Sequence, residues 1–405
     1  MPCRGGVGPD LQVLPIPATE PRPEAGPSLT PRRSPRRPGP RVSAADTAGA
    51  EGFRSLSGLE AAARSRLPPG LWDYVQGGSG EERTLAANRE AFRRDVLTPK
   101  ILAGVHRLDP STRLLDQPVR APFFISPMAY QGQVHPAGEP AMARAAARAG
   151  VLMVLSTLST ASLEDVASAS GAGPRWFQLY LQPEFERTET LVRRAERAGY
   201  SAIVLTADVP LLAVRDRQSR EGFALNTPVA LGNGPEFVTP ARDPASSPEG
   251  YALRPDGAAD WGILDQLRGV TRLPIVVKGV LRPDDARTAA EHGASGVIVS
   301  NHGGRQLDGA PATLDALPAI VDAVGSKLAV YLDGGVRRAS DVLLAMALGA
   351  QGVGIGRPAL WALAADGERG VGRFLELLTT ELVNSMALLG ISTWTDLDRS
   401  FVRVR

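Results

Sequence analysis

The sequence has very little cysteine, histidine and lysine for its length. Its 405 residues include one cysteine, Cys3, four histidines and only three lysines. A single cysteine excludes an intrachain disulfide, a cysteine-based zinc site and an iron–sulfur cluster. The scarcity of lysine makes a lysine that directly follows a buried strand a candidate functional group.

Long apolar runs and an excess of charge of one sign are also absent. The longest apolar candidates, such as residues 151–155, have the length of a strand, whereas a membrane-spanning helix needs roughly 18 residues. Lys and Arg number 45 against 43 Asp and Glu, so no overall field indicates nucleic acid. The composition is typical of a soluble globular protein. We expect a cytoplasmic protein without a membrane span, a nucleic-acid partner or a bound metal.

Residues 1–52 differ from the rest of the chain. The first fifty residues contain eleven prolines and seven arginines without apolar periodicity, so we predict a disordered tail. Residues 31–37 carry the paired arginines of an export signal, but Pro-Gly-Pro-Arg follows at 38–41, where an apolar region should stand. A nucleic-acid patch is an alternative, and a solvated extension is the preferred interpretation.

Short apolar runs alternate with helical patterns over residues 53–395, after helices predicted at 55–65 and 81–92. Continuous apolar strands are buried on both faces, which indicates a parallel sheet. Eight such units favour a closed (β/α)8 barrel with an N-terminal helical segment over a doubly wound open sheet. The predicted strands are 123–126, 151–156, 176–181, 202–206, 275–278, 296–300, 328–333 and 352–356.

The fourth and fifth predicted strands are separated by an insertion. Residues 222–259 are rich in Pro, Gly, Ser and Asn and show no clear period. Because an insertion after the carboxyl end of a barrel strand lies over the catalytic mouth, we predict that this segment is a lid.

Polar residues follow nearly every predicted strand, where a barrel carries its functional groups. The strongest motif is Ser-Asn-His-Gly-Gly-Arg-Gln at 300–306, which brings His302 and Arg305 together around two glycines. A neutral imidazole accepts a proton near pH 7, and a guanidinium holds a carboxylate by two parallel hydrogen bonds. An isolated His–Arg pair would be taken for a surface loop, but this string at a strand end indicates an active site.

The string at 300–306 resembles the active-site signature of the FMN-dependent α-hydroxy-acid oxidase and dehydrogenase family, which includes glycolate oxidase, lactate oxidase and mandelate dehydrogenase. The resemblance covers roughly residues 55–390. Within the family, residues 130–132 and 135–140 are most similar to the hydroxymandelate oxidases of actinobacteria. The other matching segments are 67–74, 83–88, 177–180, 277–280, 332–337 and 355–358.

The resemblance implies FMN as the cofactor, with Lys278 beside the N1–C2=O edge of the flavin, where a cation would stabilise the reduced ring. The phosphate site has a physical rationale of its own, because phosphates bind after barrel strands seven and eight, and glycine amides with two guanidiniums suit a dianion. The predicted FMN contacts are Pro127, Met128, Ala129, Ser156, Gln178, Thr206, Lys278, Ser300, Asp333, Gly334, Gly335, Arg337, Gly356 and Arg357.

The resemblance also implies a substrate site for a 2-hydroxy acid. His302 is the base, and Asp208 orients it and stabilises the imidazolium. Arg305 and Arg215 clamp the carboxylate with help from the Tyr74 hydroxyl, and Tyr180 hydrogen-bonds the substrate hydroxyl or the developing oxyanion. Family members usually carry two adjacent arginines where this chain has Val-Arg at 214–215.

Two departures from the family bear on substrate choice. Tyr130 stands where many members have a smaller or aliphatic residue, and Leu158 stands where glycolate oxidases carry tryptophan. Both suggest room for an aromatic acid such as mandelate or 4-hydroxymandelate. The implied activity is oxidation of an (S)-2-hydroxy acid to a 2-oxo acid, with O2 reduced to H2O2, in a homo-oligomer that is a tetramer by analogy.

Several alternatives stay open at this point. Within the same chemistry they are a quinone- or carrier-linked dehydrogenase of the lactate type and a decarboxylating monooxygenase. An enzyme resembling inosine-monophosphate dehydrogenase needs a barrel cysteine, which Cys3 cannot supply. A non-enzymatic binding protein is disfavoured by His302, Lys278 and Arg305 together.

Overall fold

The structure is a computed structural model that describes residues 53–217, 231–234 and 259–404. The predicted tail at 1–52 lies outside the described residues. The predicted lid at 222–259 also lies outside them, apart from 231–234 and residue 259.

Eight parallel strands form a closed barrel, as the repeated apolar runs predict. The barrel closes where the last strand pairs with the first, with Val353 beside Phe123 and Ile355 beside Ile125. All eight predicted barrel strands are confirmed, and their ends differ from the predicted ones by no more than two residues. The barrel strands are β4 Phe123–Ile125, β5 Leu152–Leu155, β6 Arg175–Leu179, β7 Ile203–Thr206, β8 Ile275–Val280, β9 Gly296–Val299, β10 Ala329–Leu332 and β11 Gly352–Ile355.

Among the described residues, four short strands lie outside the barrel. The hairpin of β2 Thr112–Leu114 and β3 Gln117–Val119 precedes the first barrel strand. Strands β1 Val96–Leu97 and β12 Val402–Arg403 pair antiparallel and join the N-terminal segment to the end of the described chain, beyond residue 395.

The helices surround the barrel and connect its strands. Six of those that lead into barrel strands are followed by a glycine with positive φ, Gly150, Gly171, Gly199, Gly293, Gly325 and Gly349, as expected for helix ends. None of the described helices is long and apolar enough to cross a membrane. The helices are α1 Leu59–Arg64, α2 Pro69–Gln76, α3 Arg83–Arg94, α4 Gln131–Val134, α5 Gly138–Ala149, α6 Leu163–Ser170, α7 Phe185–Arg197, α8 Gly262–Val270, α9 Pro283–Glu291, α10 Thr313–Val324, α11 Ala339–Ala347 and α12 Arg357–Leu389, which is broken at Asp366 and Gly367.

Large aromatic side chains fill the barrel interior. Phe124, Trp176 and Tyr331 are fully buried, and their ring centroids lie 5.5–6.1 Å apart. The Tyr331 hydroxyl accepts a hydrogen bond from the Leu115 amide of the β2–β3 hairpin at 2.9 Å, and Leu114 packs in the same cluster. Packed side chains, including Leu114 of the hairpin, therefore close the barrel interior. The functional site is left to the carboxyl ends of the strands.

Truncating a barrel-interior ring tests this packing. Phe124→Ala is expected to lower the free energy of unfolding by about 3–5 kcal/mol, because it leaves a cavity in a closed core. Leu388→Ala, at a side chain that is 78% exposed, is the control and should change it by no more than about 0.5 kcal/mol. Denaturant unfolding measures both, and equal small effects would contradict the described interior.

Candidate active site

His302 and Asp208 form a hydrogen-bonded pair at the barrel mouth. His302 Nδ1 lies 3.0 Å from Asp208 Oδ1. Asp208 follows β7 and His302 follows β9, and the Lys278 ammonium of the intervening strand β8 lies 4.0 Å from Asp208 Oδ2. An ionised carboxylate only accepts hydrogen bonds, so the Nδ1 atom of His302 carries the proton and the Nε2 atom is left to accept one.

The charges around this pair keep its members in the states that base catalysis needs. Burial lowers the pKa of His302, and the positive charge of Lys278 lowers it further, against the opposing effect of Asp208. Burial alone would raise the pKa of Asp208, but Lys278 and His302 outweigh it and hold that pKa below its ordinary value. Near pH 7 the imidazole is therefore neutral and the carboxylate ionised.

The backbone after β9 turns sharply to present His302. His302, Gly303 and Gly304 have φ values of 58°, 64° and 76°, a left-handed run that glycine tolerates best. The Ser300 hydroxyl fixes the start of the turn, since it accepts from the His302 amide at 3.1 Å and donates to Asp333 at 2.6 Å. The sequence motif therefore has the compact turn that its two glycines predict.

Arg305 and Arg215 lie near His302, together with the three tyrosines proposed from the sequence. The Arg305 guanidinium donates to the Tyr74 and Gly77 carbonyls at 2.7 and 2.9 Å and lies 5.0 Å from the centre of the Tyr74 ring. Burial lowers the pKa of Arg215 to about 9, helped by Arg305 and opposed by Tyr74, Tyr180 and Tyr130. The structure thus brings all the predicted substrate-binding residues into one cluster that suits an anion.

A row of polar side chains crosses three adjacent strands of the mouth. Gln178 accepts from the Ser156 hydroxyl at 3.2 Å and donates to the Thr206 hydroxyl at 3.0 Å. Thr206 pairs in register with Lys278 of the next strand. These four residues form a continuous polar edge that leads to the His302–Asp208 pair.

Two guanidiniums stand at the ends of the seventh and eighth barrel strands. Arg337 donates to the Val336 carbonyl and packs over the Trp361 ring, and burial, with Arg89, lowers its pKa to about 10. Burial and the nearby Arg305 lower the pKa of Arg357 well below its usual range. Within residues 53–217, 231–234 and 259–404, no carboxylate pairs with either guanidinium. Two buried guanidiniums without a directly paired carboxylate at these strand ends fit a bound phosphate.

The Arg357 guanidinium also makes three hydrogen bonds that the sequence did not predict. Its guanidinium donates to the carbonyls of Val75, Gly303 and Gly77 at 3.0, 3.0 and 2.8 Å. Arg357 therefore holds the N-terminal segment against the His302 turn, and its contact with a phosphate stays a prediction.

Lys278 and Asp208 provide a further test of whether a flavin fits this mouth. The Lys278 ammonium lies 4.0 and 3.8 Å from Asp208 and Asp333, beyond a normal hydrogen bond. Asp208 Oδ2 is buried without a hydrogen-bond partner among the described residues. A buried cation with uncommitted donors beside an unsatisfied oxygen suits a polar ligand edge such as that of FMN.

Some residues that shape the site were given no role from the sequence. Asn88 and Asn301 exchange two amide hydrogen bonds at 2.8 Å, which fastens α3 to the His302 turn. Gln306 donates to the Asp208 and Leu211 carbonyls at 2.9 and 3.0 Å. Asn88 lies in a segment that resembles the family and Gln306 closes the signature, but neither position reveals its partner.

The loops that carry Tyr130 and Leu158 are held by two further buried residues. Tyr130 donates its amide proton to the Leu158 carbonyl at 3.0 Å. The Glu139 carboxylate accepts from the Gln131 and Thr160 amides. The Asn233 side chain bonds the Thr157 carbonyl and the Leu163 amide, each at 2.9 Å. Tyr130 and Leu158, the two residues predicted to bear on substrate choice, therefore stand on loops that are fixed to each other.

Comparisons with known proteins agree with this geometry. The profile of the family described as FMN-dependent dehydrogenase matches residues 63–404. The chain is 46% identical over 357 residues to an L-lactate oxidase of Nostoc sp., covering 86% of this chain and 98% of the relative. It is 45% identical over 347 residues to glycolate oxidase 1 of Oryza sativa subsp. indica, covering 85% and 94%. A solved structure of mandelate oxidase with (S)-2-phenylpropionate is similar with a TM-score of 0.79 and 41% identity, covering 87% of this chain and 98% of that one.

The electrostatics of the His302–Asp208 pair can be tested by titration. Asp208→Asn should lower the pKa of His302 further, because it removes the carboxylate that raises it while Lys278 remains. NMR titration of the four histidines measures the change. Asp265→Asn is the control, because Asp265 pairs with His292 at 2.9 Å and should leave His302 unaffected. An unchanged or raised pKa of His302 in Asp208→Asn would contradict the described pairing.

Proposed function

The chain belongs to the FMN-dependent dehydrogenase family and uses FMN as its cofactor, and from that premise we propose that it oxidises an (S)-2-hydroxy acid to a 2-oxo acid with O2 as the final acceptor. The family relatives include oxidases of lactate and glycolate, and its structural neighbours include mandelate oxidase. The observation that carries the proposal is the neutral His302 held by Asp208 beside Arg215 and Arg305. A base beside two guanidiniums is what a carboxylate-bearing alcohol requires.

The oxidation removes two electrons and two protons from the substrate. His302 Nε2 takes one of these protons, and Asp208 stabilises the imidazolium that results. Bound FMN would supply the acceptor for the electron pair, and O2 would take that pair with two protons to give H2O2. The alcohol carbon is thereby converted to a ketone beside the carboxylate.

The remaining side chains of the cluster orient the acid. Arg215 and Arg305 hold the carboxylate with Tyr74, and Tyr180 donates to the substrate hydroxyl oxygen. The clamp fixes which face of the C2 carbon meets the base, so positioning contributes to the rate together with proton transfer. Burial and the positive charge of Arg305 lower the pKa of Arg215 to about 9, and the negative charge of a bound carboxylate would raise it.

The polar edge of the mouth provides the FMN site. Lys278 would hold the polar edge of the flavin, and Ser156, Gln178 and Thr206 would line its ring. Arg337 and Arg357 with the glycines after β10 and β11 would hold the phosphate. Pro127, Met128 and Ala129 would contribute backbone contacts from the end of β4.

The pocket favours an aromatic or long side chain on the acid. The rings of Tyr74 and Tyr130 lie with centroids 6.3 Å apart at an angle of 46°, which offers aromatic surface to the substrate. Leu158, whose carbonyl accepts from the Tyr130 amide, is smaller than the tryptophan of glycolate oxidases and would leave room for a ring. Mandelate or 4-hydroxymandelate is the substrate class we propose. A cytoplasmic location and a tetrameric assembly remain predictions from the sequence.

The proposed chemistry predicts a coloured protein that its substrate bleaches. The holoprotein should show flavin absorbance, and mandelate should bleach it without oxygen. His302→Ala should keep the colour and slow the bleaching by on the order of 10²- to 10⁴-fold, because the base is lost. His292→Ala, which removes a surface histidine paired with Asp265, is the control and should bleach normally. Equal bleaching in both variants would remove His302 from the mechanism.

The products formed from oxygen distinguish the proposed oxidase from the two alternative activities, a monooxygenase and a carrier-linked dehydrogenase. One H2O2 formed per 2-oxo acid is the expected result. A decarboxylated product without peroxide would identify a monooxygenase, and dye reduction without oxygen uptake would identify a carrier-linked dehydrogenase.

Filling the pocket tests the proposed substrate class. Leu158→Trp should lower kcat/KM for mandelate by about 10-fold or more relative to glycolate, because the indole occupies the space of the phenyl ring. Leu388→Trp, on an exposed side chain of α12, is the control and should leave the ratio unchanged. A wild-type protein that prefers glycolate would overturn the aromatic assignment.

A further inference from the structure

The turn that joins α2 to α3, residues 77–82, lies between the two arginines of the proposed carboxylate clamp. We propose that this turn, here called the brace, positions both arginines, and that the ion pair of Glu82 with Arg217 is the part that sets Arg215. The inference rests on the proposed function, because it concerns how the same site holds its acid.

One side of the brace is bonded to the segment that carries Arg305. The Gly77 carbonyl accepts from the Arg305 guanidinium at 2.9 Å. The Ser79 amide donates to the Gly304 carbonyl at 2.9 Å, and the buried Ser79 hydroxyl donates to the Gln306 carbonyl. Arg305 is therefore held through its own guanidinium and through both of its neighbours in the chain.

The other side of the brace is bonded to the segment that carries Arg215. The Gly80 amide donates to the Val214 carbonyl at 3.0 Å. The Glu82 carboxylate pairs with Arg217 Nη2 in a short ion pair. Arg215 thus stands between Val214 and Arg217, and both are fastened to the brace.

Glu82 is placed for this task by an unusual backbone conformation. Its φ is 63°, a left-handed value that non-glycine residues rarely adopt. Its Oε1 atom accepts from the Gly78 amide at 2.9 Å, while its Oε2 atom faces Arg217. The side chains of Glu82 and Arg217 are only 21% and 35% exposed, so the pair is more sheltered than an ordinary surface ion pair.

Positioning and simple electrostatics predict opposite results when Glu82 loses its charge. Glu82 acts on the buried Arg305 and Arg357 as a nearby negative charge. If charge alone mattered, its removal would make the mouth more positive and tighten the binding of an anion. If Glu82 positions Arg215, its removal weakens anion binding instead.

The test uses the FMN-loaded full-length protein with Glu82→Gln, Arg217→Gln, Arg217→Lys and the double variant E82Q/R217Q. Flavin absorbance reports the dissociation constant of benzoylformate, a 2-oxo acid that cannot be oxidised further at C2. We expect Glu82→Gln and Arg217→Gln each to raise that constant and the KM for mandelate by about 5-fold, with a smaller change in kcat. The double variant should bind about as weakly as either single one, without a further loss, and Arg217→Lys should recover part of the loss.

The controls separate the inference from the function on which it rests. Glu184→Gln removes a carboxylate that pairs with Arg187 at 2.9 Å and should change nothing. The proposal about the brace is overturned if Glu82→Gln binds benzoylformate as well as or better than the wild type. It is also overturned if the double variant regains wild-type affinity. Wild-type protein that binds no 2-oxo acid and is bleached by no 2-hydroxy acid overturns the proposed function itself. Flavin content and thermal midpoint check folding, and Arg217→Gln decides if Glu82→Gln does not fold.

Discussion

The structure of the barrel mouth depends on the buried carboxylate of Asp208. An unpaired buried charge is strongly unfavourable, and Asp208 is placed where Lys278 and His302 compensate it. The strand that carries Lys278 can lie this close to Asp208 only because the next residue is Gly279, with a φ of 109°. A Cβ atom at Gly279 would lie 2.4 Å from Asp208 Cβ. The proposed base His302, its proposed orienting acid Asp208 and the Lys278 cation are therefore one electrostatic unit at the ends of three strands.

The N-terminal segment completes a mouth that the barrel strands alone leave open. Arg305 and Arg357 both donate to the Gly77 carbonyl, and Asn88 pairs with Asn301. Hydrogen bonds to backbone carbonyls satisfy these buried guanidiniums without neutralising them. The site thus keeps its cationic character, which suits the carboxylate and the phosphate of the proposed function.

The sequence predicts the fold and the chemical groups well because both leave local signals. Apolar runs such as 202–206 and 296–300 mark barrel strands, and the polar residues that follow them must meet at one end of a parallel barrel. His302, Asp208, Lys278 and Arg305 are found in this way. Arg215 is found only through resemblance to the family, and the structure places it with the others.

The partners of these groups could not be predicted, because pairing across loops leaves no local pattern. Nothing near Glu82 in the chain points to Arg217, which is 135 residues away, and Gln306 gives no sign that it supports Asp208. For Arg357, the sequence predicts a role at the phosphate from its place after β11. It does not predict the three carbonyl contacts of its guanidinium. Residue type indicates chemistry, while the geometry that positions it comes from the folded chain.

The most direct measurement of the central claim is a crystal structure of the FMN-loaded protein with a bound 2-oxo acid. The account predicts the acid carboxylate between Arg215 and Arg305, its C2 atom facing His302 Nε2, and the flavin edge against Lys278. A flavin bound away from Lys278, or an acid whose carboxylate contacts neither arginine, would contradict it.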